Sequence, residues 1–357
     1  MLLIFFKKFF IIKYVCESEV RKMGLFKTFE LSVDLGSSTL RVHVKNQGVV
    51  FCEANLIAVE NETGRLIAIG DRAKSMIGRE NKKITVIKPV KNGVIADFDA
   101  CGLIIKYIID KFCKGTMIRP YLIIGISPLS SQIDQHLLME AAQNAGAKKV
   151  YLLKKPVAAA MGNGVNVTNA SGRLVVDIGS DSTNIGLVSL GTVVSNTAID
   201  VGSSNYDKKI IEYLKKRHSL LIGDITAEKV KIMIGSVLKK EETEYFEVKG
   251  KSLKKGLPAV KRISSREISR LFLDDIKKII EAIFDVVSNT PQELENDVKR
   301  YGIILTGGGS LVYGAQKLIE NTLKLKVTMS ENPLESSIIG LSKATEQRQS
   351  LDKLGII

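Results

Sequence analysis

Two short segments of the chain carry the same order of residue types: an apolar run, then Asp, Gly and a cluster of hydroxyl side chains. They are Val33–Thr39 and Val176–Thr183, and Asp34 and Asp177 lie 143 residues apart. Glycine lets the backbone approach a ligand closely, and the N–H groups and hydroxyls of such turns converge on a concavity that suits phosphate. A carboxylate repels phosphate, but it can hold the water shell of a Mg²⁺ that bridges nucleotide phosphates. One copy would be ordinary turn chemistry, whereas two copies in one chain favour phosphate binding.

A third cluster consists of Gly307, Gly308 and Gly309. The pattern predicts that it follows a strand at Gly302–Leu305 and opens a helix over Val312–Asn321. Three glycines at such a junction expose bare backbone and a helix N-terminus, which suits phosphate or the face of a base and ribose. Alone, the cluster is equally typical of a flexible turn. Together with the two hairpins it predicts a nucleotide clamp.

These motifs need a scaffold, and the apolar spacing beyond residue 29 predicts alternating strands and helices. The predicted helices cover Cys101–Lys111, Ile133–Gly146 and Asp207–Lys216. Segment 241–262 is charged and interrupted by Gly and Pro, which predicts a hairpin or a small polar subdomain. Because the phosphate motif recurs, we expect an α/β fold made of two related halves.

The composition fits two domains with a buried core, since the chain has 357 residues and is 45% hydrophobic. Its 52 Lys and Arg outnumber its 38 Asp and Glu, and the formal net charge of +14 favours anionic partners. The basic runs lack interleaved aromatic residues, which favours acidic lipid over nucleic acid. The four cysteines form no C-x-x-C pair and the three histidines are scattered. We therefore predict that the cysteines form no disulfide framework and that side chains form no metal site. The same pattern predicts that the protein works in a reducing cytoplasm.

The first 14 residues are strongly apolar but are interrupted by Lys7 and Lys8. Their uninterrupted runs are far shorter than the ~20 residues of a membrane-spanning helix. The segment also lacks the small-residue cleavage site of a signal peptide. Two interpretations stay open: an interfacial membrane anchor, or an upstream extension of a protein whose translation starts at Met23.

Further stretches resemble the MreB family of bacterial actin homologues, within the superfamily of actin, sugar kinases and heat-shock-chaperone ATPases. They are Lys88–Phe98, Lys155–Gly162, and Thr226–Lys231 followed by Ile234–Ser236, and the resemblance extends over Leu31–Ala344. It implies an actin-like ATPase fold with two duplicated lobes, each a mixed sheet with flanking helices, and a nucleotide in the inter-lobe cleft. It also implies ATP or ADP with Mg²⁺, and polymerisation into filaments at the inner face of the cell membrane that determine cell shape or drive motility.

The resemblance implies a division of the chain into four parts. Residues 1–28 form an apolar extension, and 29–160 form lobe I with a small subdomain at about 53–92. Residues 161–332 form lobe II with a small subdomain at about 205–264. Residues 333–357 form a C-terminal helix that returns to lobe I, and a tail.

Carried over by motif, the nucleotide contacts fall on both hairpins, one helix and the glycine loop. Asp34 and Asp177 would hold Mg²⁺ through water, and Glu228 and Lys231 match the helix beside ribose and adenine. The full set is Asp34, Gly36, Ser37, Thr39, Asp177, Gly179, Ser182, Thr183, Gly202, Glu228, Lys231, Gly307, Gly308 and Gly309.

The catalytic positions depart from the family pattern. The residue that would orient the attacking water is Asp134 where the family has Glu, and a misplacement of about 1 Å can cost ~10²-fold in rate. Lys154-Lys155-Pro156 replaces Glu-Glu-Pro, and a protonated ammonium cannot act as a base. Ser182 lies in a second hairpin altered from Gly-Gly-Gly-Thr-Thr-Glu, Ser203 replaces a second glycine after Gly202, and the first hairpin is one residue shorter than usual. We predict ATP binding with slow hydrolysis, so the chain is at most a slow ATPase.

Membrane contact has its own candidate in Gly115–Pro120, where the family carries an apolar insertion loop. Met117 and Ile118 would enter the acyl boundary while Arg119 meets lipid phosphate. The alternative interpretation is that the two apolar residues pack against the end of a helix.

Two other functions of the superfamily stay open as alternatives. A soluble sugar or acetate kinase would need a substrate-binding insert and a catalytic base, and the sequence offers no base beyond Asp134. A chaperone-like ATPase would need a peptide-binding domain after the lobes, for which a sequence that ends at Ile357 leaves no room.

Overall fold

The computed structural model describes residues 29–78, 82–114 and 118–357. The predictions for segment 1–28 and for Met117 therefore lie outside the described residues. Internal contacts divide the chain into two compact units. One unit extends to Gly162 and includes Ser337–Ile357, and the other is Asn163–Ser336.

The strands are short and alternate with helices along the chain, as the apolar spacing predicts. In chain order they are β1 (Glu30–Leu35), β2 (Thr39–Val44), β3 (Gly48–Ala54), β4 (Ile57–Glu60), β5 (Leu66–Ile69), β6 (Ile84–Ile87), β7 (Val90–Lys91), β8 (Val94–Ile95), β9 (Tyr121–Ile126), β10 (Lys149–Lys154), β11 (Arg173–Ile178), β12 (Thr183–Ser189), β13 (Thr192–Ile199), β14 (Leu220–Leu221), β15 (Tyr245–Ser252), β16 (Pro258–Ser264), β17 (Ile303–Thr306) and β18 (Val327–Met329).

The helices include all three that the apolar spacing predicts, with ends that differ by one to four residues. In chain order they are α1 (Asp71–Lys74), α2 (Phe98–Phe112), α3 (Gln132–Asn144), α4 (Lys155–Gly162), α5 (Ser203–His218), α6 (Asp224–Ile234), α7 (Ser265–Ser269), α8 (Leu273–Ser288), α9 (Gln292–Tyr301), α10 (Ala315–Leu323), α11 (Ser336–Glu346) and α12 (Arg348–Lys353).

Each unit is built on a five-stranded mixed sheet of the same design. The strand order is β10-β9-β1-β2-β3 in the first unit and β18-β17-β11-β12-β13 in the second. In both sheets three consecutive strands form an antiparallel meander. A later strand pairs in parallel with the first strand of the meander, and a further strand pairs in parallel with that one. The two related halves predicted from the repeated motif are therefore confirmed.

Strand β1 is buried along its whole length, and its two faces make different contacts. Leu31, Val33 and Leu35 pack into the hydrophobic core of the first unit. The alternate residues are polar, and each one is held by a later segment of the same unit. Glu30 pairs with Arg348 at 3.0 Å, Ser32 donates to the Leu341 carbonyl oxygen at 3.0 Å, and Asp34 pairs with Lys155 at 3.0 Å.

Helix α2 shows how the local sequence sets an element. The Asp97 side chain caps it by accepting the Ala100 N–H at 2.8 Å, and such caps contribute ~1 kcal/mol. Ile104 and Ile108 lie fully buried on its inner face. Each buried side chain of this kind contributes ~1.5–3 kcal/mol to folding, so the apolar stripe holds the helix against the sheet.

The segment predicted as a hairpin or polar subdomain is a hairpin. Strands β15 and β16 pair antiparallel, and β14 adds to the outer edge of β15. In the part of the chain that the structure describes, no helix combines the length and the apolar character needed to cross a bilayer.

Candidate functional site

The first hairpin joins β1 to β2, and Leu35 and Leu40 are its last paired residues. The Gly36 N–H closes the turn by donating to the Thr39 carbonyl oxygen at 3.1 Å. A Cβ on Gly36 would lie 2.7 Å from that oxygen, so the turn requires glycine. The predicted tight turn is confirmed.

Two neighbouring loops brace this turn. Buried Asn55 donates from Nδ2 to the Gly36 carbonyl oxygen at 2.7 Å and from its backbone N–H to the Ser38 carbonyl oxygen at 2.9 Å. The Gly93 N–H donates to the Ser37 hydroxyl oxygen at 3.0 Å. Ser37 therefore serves the protein scaffold already. Sequence reasoning missed Asn55, because its amide partner lies 19 residues earlier and no local pattern signals the contact.

The second hairpin repeats this geometry 143 residues further along the chain. Ile178 and Thr183 are its last paired residues, and the Gly179 N–H donates to the Ser182 carbonyl oxygen at 2.9 Å. The two turns therefore have the same length. Ser182 is the structural counterpart of Thr39.

Thr183 lies outside the second turn, as the first residue of β12. It is fully buried, and its hydroxyl donates to the Val201 carbonyl oxygen at 2.7 Å. Because the hydroxyl proton is committed to the segment before α5, this contact favours a positioning role for Thr183 over direct phosphate binding.

The first turn of α5 lies behind the second hairpin. The Ser203 N–H donates to the Gly179 carbonyl oxygen at 3.0 Å, and the Ser204 N–H donates to the Ser180 carbonyl oxygen at 2.8 Å. A Cβ on Gly202 would overlap the Ser180 backbone. The structure thus brings Gly202 to the hairpin, while two N–H groups at this helix end are taken by hairpin carbonyls.

A carboxylate occupies the tip of the second hairpin. Oδ1 of Asp181 accepts hydrogen bonds from the hydroxyls of Ser180 at 3.2 Å and Ser204 at 3.3 Å. These bonds hold a negative charge in the turn that the sequence predicts as a phosphate cradle. The charge opposes phosphate binding there.

The glycine loop packs directly against Asp177. Strands β11 and β17 are parallel neighbours, and Asp177 lies opposite Thr306. Gly307 has a φ of +85°, and a Cβ on it would overlap Asp177 and Ile178. The closeness of the two strands therefore requires a glycine at this position before any ligand is considered.

The prediction that this loop opens a helix is wrong. A 3-10 turn over Gly308–Leu311 follows β17, and α10 begins at Ala315 instead of Val312. Tyr313 forms a β-bridge with Ser236, and Gly314 has a φ of +85°. Both features are incompatible with helical backbone, so the N-terminus of α10 does not lie at the glycines.

Lys231 is engaged inside the second unit. Its Nζ donates to Oδ2 of Asp207 at 2.8 Å and to the Ser203 carbonyl oxygen at 3.2 Å. Burial raises the pKa of Asp207, and the Lys231 ammonium offsets part of that rise. The pair ties α6 to the first turn of α5. Glu228, one turn earlier on α6, is exposed, and Asp207 was not predicted as a site residue because its partner lies 24 residues away.

Lys155 reaches the first hairpin from the start of α4. Its Nζ lies 3.0 Å from Oδ1 of Asp34 and donates a hydrogen bond to the Leu35 carbonyl oxygen at 3.0 Å. The contact with Asp34 is an ion pair, and among the described residues Oδ1 of Asp34 has no hydrogen-bond donor. The prediction placed Lys155 beside the site, and the structure shows that its partner is Asp34.

This pair is a poor fit for Mg²⁺ at Asp34. A divalent ion needs uncompensated oxygen charge, whereas the Asp34 carboxylate is already neutralised by the Lys155 ammonium. Within the described ranges, no three His, Cys, Asp or Glu side chains converge on a common point. Asp177 is the remaining predicted position for a hydrated metal ion.

Asp134 forms a capping box at the start of α3. Its Oδ2 accepts the Ser131 N–H at 3.0 Å, and its own N–H donates to the Ser131 hydroxyl oxygen at 3.1 Å. The carboxylate predicted to orient water therefore has a structural task as well. It stays half-buried and keeps lone pairs for a further partner.

The predicted residues divide between the two units. Asp34, Gly36, Ser37, Thr39 and Lys155 come together around the first hairpin. The second unit gathers Asp177, Gly179, Ser182, Gly202 and the glycine loop around the second. Of the predicted membrane pair, Met117 lies outside the described residues and Ile118 is half-buried.

Comparisons with known proteins agree over nearly the whole chain. It matches the family described as MreB/Mbl protein over residues 28–353. It is 35% identical over 325 residues to the cell shape-determining protein Mbl of Bacillus cereus, covering 91% of this chain and 98% of that protein. It is 33% identical over 329 residues to the cell shape-determining protein MreB of Escherichia coli K12, covering 90% and 94%. The solved structure of MreB5 of Spiroplasma citri bound to ADP matches with a TM-score of 0.84 and 30% identity over 92% of this chain and 98% of that one, and MreB5 was also solved with AMPPNP.

Proposed function

Because this chain belongs to the MreB/Mbl family, we propose that it is an actin-like, cell shape-determining protein that binds adenine nucleotide and polymerises into filaments. The alternative of a sugar or acetate kinase finds no support. The relatives that cover nine-tenths of the chain are named for cell shape and not for a kinase activity.

The duplicated hairpin is the observation that carries the nucleotide proposal. Gly36 and Gly179 close turns of equal length, and each turn follows the first strand of its sheet. The two glycines are separated by the same 143 residues as Asp34 and Asp177. Such turns direct backbone N–H groups at an anion. MreB5, which is 30% identical to this chain, was solved with ADP and with AMPPNP. We therefore propose ATP or ADP as the ligand, with Asp177 as the carboxylate that would hold a hydrated Mg²⁺.

Slow hydrolysis is part of the proposal. Lys155 forms an ion pair with Asp34, and an ammonium cannot take a proton from water. Asp134 is anchored by its capping box and is shorter than glutamate by one methylene. We expect the double variant Lys155→Glu/Asp134→Glu to release phosphate from ATP faster than the wild-type chain at equal protein concentration, with Lys154→Glu as the control. An unchanged rate would show that the hydrolytic positions are misassigned.

Filament formation is tested by electron microscopy of the purified protein. Samples with ATP, ADP and a non-hydrolysable analogue, each with and without anionic liposomes, cover the relevant states. Filaments are expected with nucleotide. Their absence under every condition would overturn the assignment as a filament protein.

We further propose that the filaments lie in the cytoplasm at the inner face of the cell membrane. The net charge of +14 favours an anionic lipid surface, and Met117 with Ile118 is the predicted insertion pair. Liposome sedimentation of Met117→Ser/Ile118→Ser tests the pair. Reduced binding is expected, and unchanged binding would mean that the two residues pack within the protein.

A further inference from the structure

We infer that the Lys155 ammonium is a built-in cation at the first phosphate hairpin, so that this chain retains nucleotide even when the hydrated Mg²⁺ proposed at Asp177 is removed. This role rests on the proposed nucleotide function and concerns the counter-charge that the site uses. It replaces the expectation that Asp34 holds the water shell of a Mg²⁺.

Lys155 reaches Asp34 across an intervening strand. Asp34 on β1 lies opposite Gly125 on β9, and Gly125 lies opposite Leu153 on β10, two residues before Lys155. Gly125 has no side chain, and a Cβ on it would lie 3.7 Å from Cε of Lys155. The lysine stem therefore passes over the glycine, and packing against β9 holds the ammonium at the end of β1.

Both partners are withdrawn from solvent. The side chain of Lys155 is 11% exposed and that of Asp34 is 8% exposed. A buried carboxylate needs a compensating charge close by, and Lys155 supplies it within the protein. Salt and water screen such a pair far less than a surface pair, so the neutralisation persists under ordinary solution conditions.

The same ammonium opposes a divalent ion at Asp34. Mg²⁺ requires an octahedral shell of oxygen ligands and keeps most of its waters. A positive charge 3.0 Å from Oδ1 of Asp34 repels that ion and removes the negative charge that would attract it.

Lys155 also retains a hydrogen-bond donor for a ligand. An ammonium carries three N–H groups. One donates to the Leu35 carbonyl oxygen, and a second direction is taken up by the charge of Asp34. The third is available to a phosphate oxygen, and bonds of this charge-assisted kind are among the stronger ones in proteins.

The decisive experiment measures ADP and ATP affinity of the wild-type chain by calorimetry, once with excess Mg²⁺ and once with EDTA. We expect the two dissociation constants for each nucleotide to agree within about threefold, because the protein supplies the cation. A loss of tenfold or more in EDTA would overturn the inference while leaving the proposed nucleotide function intact. No binding in either buffer would overturn both.

The variant Lys155→Glu tests the residue itself. It places a second carboxylate beside Asp34, and we expect binding in EDTA to be about 10- to 100-fold weaker than in Mg²⁺, the range of one lost charge-assisted bond. Lys154→Glu is the matched control, since it makes the same charge change one residue earlier, on a half-buried side chain. Equal dependence on Mg²⁺ in both variants would contradict a special role for Lys155.

A second readout guards against loss of folding. In the absence of nucleotide, adding Mg²⁺ is expected to raise the melting temperature of Lys155→Glu more than that of the wild-type chain. Only the variant offers two unpaired carboxylates to the ion. Lys155→Met removes the charge without adding a carboxylate. It should show weaker binding in both buffers, and full wild-type affinity in EDTA would contradict the inference.

Discussion

The Nζ atom of Lys155 lies 3.0 Å from Oδ1 of Asp34, and the same ammonium donates a hydrogen bond to the Leu35 carbonyl oxygen. One lysine thus holds the last two residues of β1, where the strand enters the first hairpin. Because Lys155 is also the first residue of α4, the contact ties that helix to the turn. A change at Lys155 should therefore alter both stability and ligand binding.

The ion pair predicts a non-additive loss of stability. Asp34→Asn and Lys155→Met should each lower the free energy of unfolding by about 3–5 kcal/mol, because each leaves one buried partner without compensation. The double variant should lose clearly less than the two single losses combined. Urea midpoints measure all three, and additive losses would contradict coupling. Lys149→Met is the control: its pair with Asp352 is exposed, and exposed pairs contribute little to stability.

Asp134 predicts a separation of its structural and hydrolytic tasks. Asp134→Ala should lower the free energy of unfolding by ~0.3–1 kcal/mol, because α3 loses the first-turn carboxylate that accepts the Ser131 N–H, while the N–H of residue 134 can still donate to the Ser131 hydroxyl oxygen. Asp134→Glu should keep the cap, since glutamate suits this helix position, and should keep or raise the rate of phosphate release. Thermal melts measure the stability of each variant, and phosphate assays measure its rate of hydrolysis. Equal stability of the alanine variant and the wild-type chain would contradict the capping role.

The glycine loop offers a matched pair of positions. Gly307→Ala should destabilise by ~1–3 kcal/mol, because Gly307 has a φ of +85° and its Cβ would overlap Asp177. Gly308→Ala should cost less, since its Cβ would meet only Leu334 Cδ2, at 3.1 Å. Urea unfolding of both variants tests the difference. Similar losses would show that the loop relaxes and that close approach of the strands does not decide the residue.

The local parts of this fold follow from local sequence. Gly36 and Gly179 mark their turns because residues around them carry all the information a tight hairpin needs, and the repeat predicts the second sheet from the first. The helix that the apolar spacing predicts from Val312 begins only at Ala315. The β-bridge between Tyr313 and Ser236 and the left-handed backbone of Gly314 prevent an earlier start.

The site's partners were harder to predict than its turns. The sequence marks Lys155 as a departure from the family pattern beside the nucleotide motif, but its partner Asp34 lies more than 100 residues earlier and only the sheet register brings them together. Asp207 was missed for the same reason, since α5 and α6 must pack before it meets Lys231. Periodicity predicts faces of elements, and ion pairs between elements depend on tertiary contacts.

His43 predicts a pH dependence of stability. Burial lowers the pKa of this imidazole from its ordinary value of 6.5, and Glu346 offsets part of the shift. The unfolded chain then binds the proton more readily than the folded one, so stability is lost as pH falls through 6.5. One such group contributes at most about 1.4 kcal/mol per pH unit. Urea midpoints from about pH 7.5 to about pH 5.5 should fall less for His43→Gln than for the wild-type chain, and an equal fall in the two proteins would contradict this role of His43.

The carboxylate at the tip of the second hairpin predicts a gain in nucleotide affinity when its charge is removed. Asp181→Asn keeps a side-chain oxygen that can accept from Ser180 and Ser204, as Oδ1 does now, but ends the repulsion of phosphate. We expect ~3- to 10-fold tighter ADP binding, a change that shrinks as salt rises because screening already weakens the repulsion. Asp200→Asn removes the same charge from an exposed position of the same unit and should change affinity little. Equal effects of the two variants would point to net charge alone, whereas a gain confined to Asp181→Asn would place the phosphate at this turn.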